Sequence, residues 1–130
     1  MRTAKITIDG VEHTLCFSGR AMRACTERYG DLNKINEALK VESEKDQIRA
    51  MDEAVWLLAT MMDAGERYEK LQGRETPEPL SCDDLYDLVD VPDLANMKSK
   101  VIETINLGKT ATIEARPGKD GATPEDIPAR

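Results

Sequence analysis

The sequence predicts a mainly α fold of the α+β type: a small N-terminal β-hairpin packed on a bundle of about five helices, followed by a disordered C-terminal tail. Three observations predict it. Residues 3–17 alternate apolar and polar side chains around Asp9-Gly10, and a two-residue hairpin loop favours that dipeptide because both of its central residues take positive φ. From Ser18 onward the apolar residues instead recur every three or four positions in five separate stretches, which is the period of a helix packed along one side. Residues 109–130 hold three prolines and two glycines but no Leu, Val or aromatic residue, too little apolar surface to offset the entropy of ordering. The expected organisation is therefore one domain over residues 1–108 and a flexible tail over 109–130.

The elements follow in order. Strands are expected at 3–8 and 11–17, with Ile8 opposite Val11, Ile6 opposite His13 and Ala4 opposite Leu15. That pairing puts Ile6, Ile8, Val11 and Leu15 on one face with His13 among them, a face that something must cover. Ser18 can cap the next helix, where Ala21, Met22, Cys25 and Tyr29 recur at helical spacing before Gly30 supplies a left-handed terminus. Asp31 can cap a short second helix carrying Leu32, Ile35 and Leu39. The longest helical pattern then runs over about 46–72 and has two apolar stripes. Ile48, Met51, Val55, Leu58 and Met62 form the first; Leu57, Met61, Ala64, Tyr68 and Leu71 form the second. At about 100° per residue their centres lie roughly 140° apart, so this is the central helix, touching different elements on different sides. The first stripe is expected to pack on the hairpin and first helix.

Two prolines make "GRETPEP" (73–79) a connector. Ser81 and Asp84 form a capping-box pattern for a short helix with Leu85, Leu88 and Val89 turned inward. Pro92 suits the first turn of a last helix bearing Leu94, Met97, Val101, Ile102 and Ile105, with Gly108 as its expected end.

Charge and length narrow the function. With 130 residues the chain supports one core, and a formal charge of −7 repels a phosphate backbone, with no Lys/Arg run to reverse this locally. Nucleic acid is not an expected partner. The N-terminus lacks the apolar segment of a signal peptide, and the longest uncharged apolar run, "AVWLLATMM" (54–62), is too short to cross a bilayer. The expected location is the cytoplasm. Three cysteines, Cys16, Cys25 and Cys82, are an odd number without paired spacing and fit reduced thiols.

Catalytic chemistry finds little to work with. The single histidine, His13, falls in a predicted strand, where it reads as a residue partly exposed at the hairpin edge rather than as a general base. A zinc site built from His13, Cys16, Cys25 and Cys82 fails on geometry, because strand residues three apart point to opposite faces. The acidic series "SCDDLYDLVDVPD" lacks the alternate oxygen ligands, turn glycine and terminal Glu of a calcium loop, and reads as helix-terminus solvation. Phosphate-binding glycine loops are absent. No enzyme activity, cofactor or metal is expected.

Taken together, a strand pair leading into "FSGRAMRACTERYGDL", a central apolar helix, "LSCDDLYDLVD" and a final "VIETINLG" before a polar tail resemble the tail assembly chaperones of long-tailed bacteriophages and their prophages. The likeness extends over about 4–108. It implies a non-enzymatic morphogenesis factor that binds the tape measure protein, keeps it soluble and helps tail tube protein polymerise around it. It also implies that a programmed ribosomal frameshift often extends a minority of the product, with residues 109–130 in the place of the connector. The competing expectation is a small phage-encoded regulatory or DNA-associated protein, whose mark would be a basic recognition helix.

Partner binding, if it is the function, is expected on the second stripe of the central helix: Leu57, Met61, Ala64, Tyr68 and Leu71. The stripe runs about two turns beyond Met62, so its far end is either an open groove for an amphipathic helix or core buried by the last two helices. Self-association through leftover apolar surface is also expected, since the central helix carries more of it than so small a domain hides readily.

Overall fold

The computed structural model describes residues 2–114. Its first element is an antiparallel hairpin of β1 (Thr3–Ile8) and β2 (Val11–Cys16), in the register expected: Ile8 opposite Val11, Ile6 opposite His13, Ala4 opposite Leu15. Asp9 at φ 50° and Gly10 at φ 81° make the turn. Along β1 the alternation is clean, with Ala4, Ile6 and Ile8 buried and Lys5 and Thr7 exposed. Along β2 it is absent: Val11, expected on the covered face, is exposed beside Glu12, and His13, Thr14, Leu15 and Cys16 are all buried. The backbone of β2 lies against the central helix, so both of its faces lose water and the period-two pattern disappears. His13, expected to be partly exposed, is 3% exposed for this reason.

Helix α1 (Gly19–Tyr29) starts where Ser18 Oγ accepts the Ala21 N–H at 3.3 Å and stops at Gly30, φ 80°, whose N–H donates to the Thr26 carbonyl. It buries Ala21 and Cys25, while Met22 turns to solvent. Helix α2 (Asn33–Ala38) is opened by the Asp31 carboxylate, which accepts the Asn33 N–H at 2.9 Å, and it buries Ile35.

The central helix, α3 (Glu44–Leu71), is 28 residues long, about 42 Å at 1.5 Å per residue. It touches β2, α1 and α2 as well as the two helices that follow. Its two expected stripes turn out to be the borders of one buried face. Ala54 and Gly65 fill the line between them, with Leu58 and Met61 on either side of it, and the buried set spans roughly 180° of the helix. The hairpin lies over that middle line, not over the first stripe alone. A Cβ on Gly65 would collide with the Thr14 carbonyl group, so only glycine lets strand and helix approach this closely. Ile48 falls outside the face and is 70% exposed, contrary to its expected place in the core.

Helix α4 (Cys82–Leu88) carries the expected capping box, Ser81 Oγ accepting the Asp84 N–H and the Asp84 carboxylate accepting the Ser81 N–H. Leu85 is its buried anchor; Leu88, expected inward, is the last residue of the helix and is exposed. A 3₁₀ turn, Val91–Asp93, follows with a second reciprocal cap between Asp90 and Asp93. Helix α5 (Leu94–Glu114) packs Met97, Val101 and Ile105 on α3 and β1. It does not end at Gly108. That glycine sits inside the helix, where a Cβ would come within 2.8 Å of both the Cβ and the carbonyl oxygen of Phe17. The helical domain thus continues past residue 108, and of the expected tail, residues 115–130 lie outside the described residues.

Candidate partner-binding groove

Hairpin, first helix and central helix leave a groove where they meet. The start of β1 supplies Arg2, the entry to α1 supplies Ser18 and Arg20, and the last turns of α3 supply Ala64, Arg67, Tyr68, Lys70 and Leu71. Its volume is about 510 Å³. Three of the five residues expected to contact a partner therefore reach one concavity: Ala64 at the floor, Tyr68 half-buried and Leu71 85% exposed. Leu57 and Met61 do not. Both are fully buried in the core and Ala64 is 2% exposed, so the stripe is packing as far as Ala64 and reaches the surface only at Tyr68 and Leu71.

The floor is apolar, and its surroundings are cationic. The Arg2 guanidinium stacks 5.0 Å from the Tyr68 ring centroid and the Arg74 guanidinium 5.9 Å from it; such cation–π contacts hold an aromatic ring in place. Arg67 pairs with Asp63 at 3.0 Å and Lys70 with Glu66 at 3.4 Å, each one turn back along α3. Arg2 and Arg20 have no carboxylate partner among the described residues. Behind the groove Arg74 forks onto the buried Glu69 carboxylate with contacts of 2.8 to 3.1 Å, and this hydrogen bonding holds the Glu69 carboxyl below the usual range. The pair pins the chain as it leaves α3 through Gln72 and Gly73.

No family model, curated protein or solved structure matches the chain. The groove offers exposed apolar area bounded by cations, which suits binding. Of the two hydroxyls in its wall, Ser18 Oγ is already engaged in capping α1, and the other is the Tyr68 phenol.

The remaining reactive side chains are elsewhere. Burial pushes the Cys25 thiol up to about 11 and raises Cys16 as well, which suppresses the thiolate that metal binding or nucleophilic attack requires. All three cysteines are free, and no group of ligating side chains capable of holding a metal occurs among the described residues. The acidic series near α4 is explained in part by its two caps. Burial also lowers the His13 pKa from its usual value. Among the described residues, no helix is long and apolar enough to cross a membrane.

A second cavity, about 290 Å³, opens between α1, α3 and Cys82 and shares Arg20 with the groove. Trp56 lines it. There the Arg28 guanidinium stacks 4.4 Å from the Trp56 ring, donates to Glu53, and joins Tyr29, whose hydroxyl donates to the same carboxylate. This cluster fastens α1 to α3.

The cationic surround was invisible in the linear chain because its members come from three separated places. The nearest local signal was Arg67 and Lys70, spaced so as to flank Tyr68 and Leu71 on the helix surface.

Proposed function

We propose that this protein is a tail assembly chaperone of a long-tailed bacteriophage or prophage, a non-enzymatic factor of the host cytoplasm that binds helices of the tape measure protein while tail tube protein assembles around them. The observation that carries this reading is the open outer end of the central helix. Tyr68, half-buried, and Leu71, 85% exposed, leave apolar surface accessible above the buried Ala64, and an amphipathic helix laid along them would cover it. The order of the quoted sequence segments supports the same assignment. A small DNA-associated regulator is the less favoured reading, since the chain carries 25 acidic against 18 basic side chains and its net charge repels a phosphate backbone.

Co-expression with the tape measure protein tests the proposal. Leu71→Asp is the variant of choice, because an 85% exposed side chain contributes little to the core. It should cut co-purification of tape measure protein at least about tenfold, which is a loss of about 1.4 kcal/mol, with an unchanged melting temperature. Undiminished co-purification with folded Leu71→Asp protein would overturn the assignment of this groove.

A further inference from the structure

We propose that the groove selects an acidic amphipathic helix: one whose apolar ridge seats on Tyr68 and Leu71 and whose flanks carry Asp or Glu. The inference rests on the partner-binding reading above and specifies the chemistry of the partner.

Charge distribution is the first argument. The chain has 25 acidic against 18 basic side chains, yet four cations, Arg2, Arg20, Arg67 and Lys70, surround this one concavity. Two of them, Arg2 and Arg20, are unneutralised by any carboxylate among the described residues. Arginine offers a planar fork that takes a carboxylate through two parallel hydrogen bonds. The other two cations sit in single-turn surface pairs with Asp63 and Glu66, and such pairs are worth so little that exchange for a partner's carboxylate costs almost nothing.

The floor is the second argument. A site for free phosphate or a nucleic-acid backbone has no use for an exposed leucine, whereas a helix ridge buries it and gains from removing its apolar surface from water. The placement of the cations is the third. Arg2 and Arg20 come from the wall made by β1 and α1, and Arg67 and Lys70 from α3 itself, so a helix lying between these elements meets positive charge from both. The acidic remainder of the surface then repels acidic helices everywhere else, which directs them to this site.

Two labelled synthetic helices with the same leucine ridge, one flanked by Glu and one by Lys, provide the probe, read by fluorescence anisotropy against the full-length protein. The Glu-flanked peptide should bind at least about tenfold tighter than the Lys-flanked one and weaken at about 0.5 M salt, where screening is nearly complete beyond a few ångströms. Arg20→Glu should lower its affinity about tenfold. This variant keeps its fold, because an acid in the first turn of α1 complements the helix dipole; Arg2→Glu serves as the second variant. Equal binding of the two peptides, or Arg20→Glu and Arg2→Glu proteins that bind like the parent, would overturn the inference. Displacement of the Glu-flanked peptide by oligothymidylate at equal concentration would reassign the groove to single-stranded nucleic acid. Self-association that Arg20→Glu abolishes would reassign it to a second copy of the chain. If Leu71→Asp abolishes tape measure binding while the arginine reversals leave it intact, the chaperone reading stands and the acidic-helix inference falls. The opposite pattern separates them the other way.

Discussion

Replacing Gly65 by alanine sets two effects of opposite sign against each other. In an exposed helix interior the change stabilises by about 1 kcal/mol, because alanine loses less backbone entropy than glycine. Here the added methyl group would occupy the space of the Thr14 carbonyl, with the carbonyl carbon 2.5 Å away and the Leu15 nitrogen 3.1 Å away. Neither partner is a flexible side-chain end, so β2 as a whole must move off α3. Moving it uncovers Leu15 and Cys16, both at 0% exposure. Overpacking of this kind costs about 1–3 kcal/mol, and backbone against backbone belongs at or above the upper limit. Subtracting the propensity gain leaves a net loss of about 2 kcal/mol, or a fall in melting temperature of about 8 °C at roughly 4 °C per kcal/mol for a domain of this size. Thermal unfolding followed by far-ultraviolet circular dichroism, with urea titration as a second measure, tests it. A Gly65→Ala protein that melts higher than the parent would show that propensity alone acts at this position, and the close approach of strand to helix would be refuted.

Two further outcomes follow from burial. His13 has a folded-state pKa below its usual 6.5 because burial disfavours the charged ring; the unfolded chain therefore binds the proton more readily, and stability is complete above pH 6.5 and declines as pH falls through that value. Urea unfolding between about pH 7.5 and pH 5 should show this slope, and His13→Leu should flatten it; an equal slope in the variant would assign the effect to other groups. Ile48 and Leu57 lie in different stripes with opposite exposure, 70% and 0%, so Ile48→Ala should shift stability by less than about 0.5 kcal/mol and Leu57→Ala should cost about 2–5 kcal/mol. Comparable losses in the two variants, measured by denaturant titration, would contradict the placement of the buried face.

What could be read from the chain was local. Asp9-Gly10, the Ser18 cap, Gly30 and the Ser81–Asp84 box each act within four residues, and each stands where the sequence puts it. Gly108 misled, and Gly65 gave no signal, for a common reason. A glycine that permits close approach by a distant segment looks the same in sequence as one that ends a helix or loosens a loop, and Thr14 and Phe17 are far away along the chain. The merging of the two stripes on α3 was hidden likewise, because alanine and glycine contribute little to an apolar pattern while filling the line where other elements come nearest. The groove was half legible. Its apolar strip follows from helical spacing, but its cations meet only after the hairpin and α1 have folded onto α3.

The indole beside Arg28 has a practical consequence. As the chain's one tryptophan, Trp56 is the source of all indole emission, and it lies in the cavity that has Arg20 as a common wall with the groove. A ligand that draws the Arg20 guanidinium towards itself alters the polarity around the ring without touching it. Intrinsic fluorescence thus provides a label-free signal of occupancy, and Arg20→Gln, which removes the charge, should silence that signal even for a ligand still held by the apolar floor.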